Sequence, residues 1–312
     1  MTTVDIPVAA LASRWKGKSR IVDLRGPVHW VDFGAPERDD RAPVVLVHGL
    51  GGSHLDWVRI APALADHRHV VAVDLPGFGL TPAAGRHTTV RANARLLGRF
   101  VDEVLRQPAV LVGNSMGGMI ALLLAADRPG LAAGLCLLDP SLPLDRRHQD
   151  PLVAAEFALF TVPFLSRAYL ERNRRRLTAE EQVLRTLDLC FADDARIDPD
   201  VLEADVALAE YRAAIPGTDV EFLGAARSLL RVLARSRSYA AHIRSIDRPV
   251  LLVHGEQDRL VPFSAAEATA AANPRWETLF LPGVGHVPHL EVPGVVLDRL
   301  LPWLDRLRRA SQ

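Results

Sequence analysis

Two kinds of apolar run alternate along this chain. Residues 21–24 and 28–33 switch between apolar and polar positions as half-exposed strands do, and Gly26-Pro27 between them supplies a turn, so an antiparallel edge is predicted there. Residues 44–47, 70–73, 109–112, 135–138 and 249–253 are instead continuously apolar, the pattern of strands buried on both faces. A last strand is predicted over residues 277–281. Helical spacing fills the intervals: residues 53–65 with Ser53 as cap, 89–104, the run that follows Gly118, 264–272, and an amphipathic close from 295 to about 309. Strand and helix in alternation are the signature of a parallel sheet covered by helices on both faces.

The alternation stops at Asp139-Pro140-Ser141 and resumes near residue 246. The chain therefore divides into a first core segment, 1–140, a helical insertion, 141–245, and a second core segment, 246–312. Inside the insertion an apolar patch spans 157–165, where it either lines a cleft or forms the insertion's own core. A basic cluster follows at Arg172-Asn173-Arg174-Arg175-Arg176. Arg227, Arg231 and Arg235 fall at i, i+4 and i+8 on one helix face and predict a solvated surface.

Candidate chemistry collects where buried strands end, the edge at which open α/β sheets place their sites. Gly113-Asn114-Ser115-Met116-Gly117 joins a buried strand to an apolar helix. A serine at such a turn is lifted clear of the sheet, and glycines two residues to either side remove side chains that would clash. Ser115 is the candidate nucleophile, and the N–H of Met116 would open the helix, where the dipole is positive. Asp258 and His286 follow, each beyond a strand end, in an order suited to a base that takes the serine proton and a carboxylate that orients the base. Asp139 also ends a strand and is the rival acid. Asp74, in a turn-rich segment, reads as a residue bonding the backbone, and His48, His254 and His289 as structural rather than metal-binding.

Composition narrows the partners. Thirty-seven basic and thirty-seven acidic residues balance, which argues against nucleic acid or stable association with an anionic membrane and favours a small, weakly charged molecule. Cys136 and Cys190 stand in unrelated contexts and predict free thiols. The first eighteen residues lack the layout of a secretory signal, so a cytoplasmic location is expected. Residues 107–126 carry no charge and have the length of a membrane span, but Asn114, Ser115 and three glycines interrupt the run, and a buried strand plus a buried helix explains it.

With these residues in hand the chain resembles the α/β-hydrolase family, in the lid-bearing serine hydrolase branch of esterases, cofactor-free haloperoxidases and C–C bond hydrolases. The resemblance runs through His48-Gly49, 74–81, 113–118, 254–262 and 285–291. It implies an eight-stranded, mostly parallel sheet with a helical lid after the sixth strand, and a catalytic set of Ser115, Asp258 and His286. It also implies an oxyanion hole from the N–H groups of Met116 and Leu50, with Gly51 as competitor for the second donor, and no cofactor or metal. Serine in the elbow, where family dehalogenases and epoxide hydrolases carry aspartate, argues against both activities. The loop after His48 lacks the Gly-Pro-Gly element of the C–C bond hydrolases, and no aromatic residue follows His286, so ester hydrolysis ranks above carbon–carbon cleavage. A ligand receptor with a retained triad is the expectation of another class.

Overall fold

In a computed structural model of the protein, residues 8, 10–37, 40–143 and 150–307 are described, apart from the side chains of 156, 157 and 163. Eight strands form one sheet: β1 (Lys18–Asp23), β2 (Pro27–Gly34), β3 (Val44–Val47), β4 (Val70–Val73), β5 (Ala109–Asn114), β6 (Ala132–Leu138), β7 (Val250–Gly255) and β8 (Glu277–Leu281). Their order is β1-β2-β4-β3-β5-β6-β7-β8. β1 and β2 form the predicted antiparallel edge, β2 meets β4 antiparallel, and every later pairing is parallel. Chain order reverses at β3, which lies between β4 and β5, so the connections leave in opposite directions and open a crevice at the carboxyl ends.

The uniform apolarity of the inner strands follows from this arrangement. Val45 and Val47 of β3 join the core on one face of the sheet, while Val44 and Leu46 join the core on the other, and all four are fully buried. Burial of such a side chain contributes on the order of 2 kcal/mol, more than the whole span of strand propensities, so packing rather than propensity holds these strands.

The helices are α1 (Ala61–Ala65), α2 (Val90–Arg99), α3 (Met116–Asp127), then α4 (Pro151–Thr161), α5 (Pro163–Arg176), α6 (Ala179–Cys190), α7 (Pro199–Ala213), α8 (Thr218–Ala234) and α9 (Ser236–Arg244), followed by α10 (Phe263–Ala272), α11 (Pro288–Glu291) and α12 (Pro293–Leu307). The helix predicted over 53–65 is broken. Ser53 caps as expected, its Oγ accepting from Leu55 N–H at 3.1 Å, but only a 3-10 turn, His54–Trp57, follows before the chain turns again into α1. Pro62, which has no N–H to donate to a preceding turn, sits at the start of α1, where that loss is harmless. The uncharged run 107–126 resolves into β5 and α3, and among the described residues no single helix is long and apolar enough to cross a membrane.

Helices α4 to α9 all lie between β6 and β7. Tyr239 Oη of α9 donates to Ser141 O at 2.8 Å, and Ala225 and Leu229 of α8 enter the core beside α2. The arginine face of α8 departs from expectation. Arg231 and Arg235 are exposed, but Arg227 is half-buried: its Nε donates to Phe160 O at 2.8 Å and its Nη2 to Ser166 Oγ at 2.8 Å, fastening α4 and α5 to α8. The 157–165 patch divides between the insertion's own core and solvent. Phe160 packs with Leu223 and Ala226 in a small core, while Phe164 is 81% exposed; the side chain of Phe157 lies outside the described residues.

Candidate active site

Ser115 ends β5 with φ +53°, a left-handed conformation that a non-glycine residue adopts only when its surroundings enforce it. The enforcement is visible. Ser115 N–H donates to Leu138 O at 3.1 Å, and its carbonyl accepts from Met119 N–H at 3.2 Å and Ser141 N–H at 3.0 Å. A Cβ on Gly117 would stand 2.0 Å from Val47 O, and one on Gly113 would stand 2.6 Å from the Gly117 backbone, so the turn closes only with glycine at both places.

His286 lies beyond β8 and Asp258 beyond β7. Nδ1 of the imidazole donates to Asp258 Oδ2 at 2.7 Å, with both side chains buried. The other Asp258 oxygen accepts from Leu260 N–H at 2.8 Å and Val261 N–H at 2.9 Å, which fixes the carboxylate plane. Burial alone would raise this carboxyl, but the charge of His286 and its hydrogen bond outweigh burial and hold it below the usual carboxylate range. Asn114, the residue before Ser115, donates from Nδ2 to both His286 O and Leu138 O at 3.0 Å, tying the histidine loop to the elbow. This link was not read from the sequence, although Asn114 is the one polar side chain in an otherwise apolar strand.

Asp139, the rival acid, lies behind this pair. It is fully buried, its Oδ1 accepts from Gly255 N–H at 2.9 Å, and the ligand atoms of Asp139, Asp258 and His286 all lie within 4.8 Å of one another. Burial, then repulsion by Asp258, pushes its carboxyl well above the ordinary range, so Asp139 is neutral where Asp258 is charged.

On the other side of the elbow, a Cβ on Gly49 would stand 3.2 Å from Ser115 Cβ, which places the main chain of 49–50 against the serine. Met116 is the first residue of α3, so its N–H has no acceptor within the helix. Gly51 is exposed with φ +83°, whereas Leu50 is half-buried. His48 braces this loop: Nδ1 donates to Gly49 O at 2.7 Å and Nε2 accepts from Leu75 N–H at 3.0 Å, a pattern only the neutral ring can make. Burial pushes its pKa down to about 4.

Asp74 bonds the backbone as expected, accepting from His54 N–H at 2.7 Å and Leu80 N–H at 2.8 Å, and it also receives His29 Nδ1 at 2.8 Å and His54 Nδ1 at 3.0 Å. Two histidines and a carboxylate could in principle hold an ion, but these are hydrogen-bond lengths, and ligand atoms around tetrahedral zinc would stand about 3.3 Å apart. His289 stacks on Trp57 with centroids 4.5 Å apart, and burial pushes its pKa down to about 3. His254 Nε2 donates to Val261 O at 3.0 Å, bracing the loop that carries Asp258.

A model of the alpha/beta hydrolase fold matches residues 42–293. The chain belongs to the α/β-hydrolase fold family. It is 28% identical over 281 residues to the dihydrolipoyllysine-residue acetyltransferase component of the acetoin cleaving system of Pseudomonas putida, a match covering 89% of this chain and 67% of that protein. It is 27% identical over 276 residues to a pimeloyl-acyl-carrier-protein methyl ester esterase of Edwardsiella ictaluri, covering 88% and 96%. Among solved structures, the 2-hydroxy-6-oxo-6-phenylhexa-2,4-dienoate hydrolase of a Rhodococcus strain matches with TM-score 0.71 at 23% identity, over 92% of this chain and 100% of that chain. That likeness is one of fold. Within this α/β hydrolase, then, the strand ends carry a strained serine, a charged carboxylate bonded to an imidazole, and a glycine loop pressed against the serine.

Proposed function

We propose that the protein is a serine hydrolase that cleaves a carboxylic ester of a small, largely apolar molecule through an acyl-enzyme. The observation that carries this reading is the 2.7 Å bond from His286 Nδ1 to Asp258, on a loop tied by Asn114 to the Ser115 elbow. With Nδ1–H committed to the carboxylate, the imidazole presents Nε2 as the base. It removes the proton of Ser115 Oγ as that oxygen attacks the ester carbonyl, and the N–H groups of Met116 and Leu50 receive the oxyanion. Collapse breaks the ester bond, and His286 returns the proton to the departing alcohol. Water then enters by the same route and releases the acid and the free serine. Helices α4 to α9 act as the lid that sets which acyl and alcohol groups fit.

Replacing Ser115 with alanine tests the reading. Hydrolysis of p-nitrophenyl acetate should fall by at least about 10³-fold while the unfolding midpoint stays close to that of the parent protein. Turnover undiminished in Ser115→Ala would remove the serine from the reaction. A panel of esters, lactones and vinylogous diketones, with the same variant as control, separates ester hydrolysis from carbon–carbon cleavage.

A further inference from the structure

The backbone of His286 is gripped from two sides. Its carbonyl accepts from Asn114 Nδ2 of the elbow, and its N–H donates to Cys190 O, the last residue of α6, at 2.7 Å. The second grip belongs to the insertion, and a buried carboxylate locks it in place. Glu291 ends α11 with no side-chain exposure. Its Oε2 accepts from Gly285 N–H at 2.7 Å and Ala192 N–H at 3.3 Å, and its Oε1 accepts from Arg196 Nη1 at 2.9 Å. The same Arg196 nitrogen donates to Gly283 O at 2.9 Å.

A buried carboxylate is tolerable only when donors surround it, and the source of these donors is informative. Gly285 belongs to the histidine loop, while Ala192 and Arg196 belong to the insertion, so one side chain fastens the two together on either side of the Cys190–His286 bond. The contact has no slack. A Cβ on Gly285 would stand 2.3 Å from Cys190 O and 2.8 Å from Ala192 N. Removing this carboxylate alone would strand the N–H groups of Gly285 and Ala192 and take an acceptor from one nitrogen of Arg196, so the seam carries stability as well as geometry. Beyond that stability, a charge-bonded clamp fixes distance and direction.

We propose that Glu291 is a positioning residue for His286: its carboxylate staples insertion residues 190–196 to the 283–286 loop and so holds the imidazole in register with Ser115 only while the insertion is docked. The proposal rests on the reading of His286 as the general base. Residues 190–196 are then part of the catalytic framework as well as of the roof over it. Misplacing a reacting group by about 1 Å costs on the order of 10²-fold in rate, a loss that falls on the chemical step rather than on substrate binding.

The test compares Glu291→Ala, Glu291→Gln and Arg196→Met with the parent enzyme, using p-nitrophenyl butyrate. Rates are expressed per active site titrated with a fluorophosphonate, so that loss of folded protein does not count. Glu291→Ala should lower kcat per titrated site about 10²-fold with KM within about twofold. Glu291→Gln keeps an acceptor for Gly285 and Ala192 and should recover about tenfold of that loss, and Arg196→Met should lower kcat per site about threefold to tenfold. A residue serving only stability would lower the melting temperature and the yield of titratable sites and leave kcat per site untouched. Per-site kcat within twofold of the parent in Glu291→Ala overturns the proposal; should that variant not fold, the same result in both Glu291→Gln and Arg196→Met overturns it. Hydrolysis that survives in Ser115→Ala would instead bring down the reading of the site, and the positioning role with it.

Discussion

Asp139 and Asp258 follow neighbouring strands, both are buried, and they differ in charge because Asp258 accepts a hydrogen bond from His286, whereas the nearest imidazole nitrogen to Asp139, His254 Nδ1, stands off at 3.6 Å. Asp139 is held neutral by burial and by the negative charge of Asp258. Asparagine is therefore close to a copy of it, retaining the acceptor for Gly255 N–H. Asp139→Asn is expected to keep kcat within about threefold of the parent, whereas Asp258→Asn, which leaves His286 in the wrong tautomer, should lose on the order of 10³- to 10⁴-fold. Equal losses in the two variants would show that the acid has been misassigned. Asp56 supplies a second test at this scale. Burial pushes its carboxyl up to about 7, against the opposing pull of Ser53 N–H. In the unfolded chain it ionises near 4, so between about pH 4 and 7 the folded protein holds a proton that the unfolded chain has released, and stability falls as pH rises through that window. Asp56→Asn, which keeps an acceptor for Ser53 N–H, removes the slope. Its stability relative to the parent, from urea unfolding, should rise by roughly 2–4 kcal/mol from pH 4 to pH 7 and then level off. A difference independent of pH would show that Asp56 is not the titrating group.

At the scale of the element, the elbow is a backbone problem before it is a chemical one. Gly117→Ala drives a Cβ into Val47 O, at the end of β3, and His48 O just beyond it, main-chain atoms that cannot yield as the tip of a flexible side chain would. The expected cost is at least about 3 kcal/mol, read as a drop in urea midpoint, while Gly130→Ala, with nothing within 4 Å of the added carbon, should be neutral or slightly stabilising. Comparable midpoints for the two variants would contradict this account of the turn. The same elements show what the chain's pattern discloses. The inner strands were legible because burial on both faces leaves an uninterrupted apolar run, and the elbow because strand, glycines, serine and helix occur in one short stretch. Ser115, Asp258 and His286 could be named from their places after strands. What escaped was whatever depends on two distant segments meeting: the role of Arg227 in pinning α4 and α5, the two histidines on Asp74, and the Glu291 clamp. A half-buried arginine and a solvated one share the same spacing in a helix, and only the neighbours of α8 distinguish them.

For the molecule as a whole, the decisive fact is where the insertion is hung. Leu135 of β6 and Val250 of β7 are paired in register, so the chain leaves the sheet and returns to it on adjacent strands, with α4 to α9 in between. Closing so long an excursion costs only slightly more than closing a short one, because the entropy grows with the logarithm of length. The sheet is thus nearly indifferent to how much chain is suspended between these strands. The insertion could then be replaced, like a shade on a fixed lamp, without rebuilding the sheet. Under the positioning role proposed for Glu291, the exchange would carry one condition: a transplanted segment would have to bring a carbonyl to meet the N–H of His286, or the borrowed piece would sit over a slowed centre.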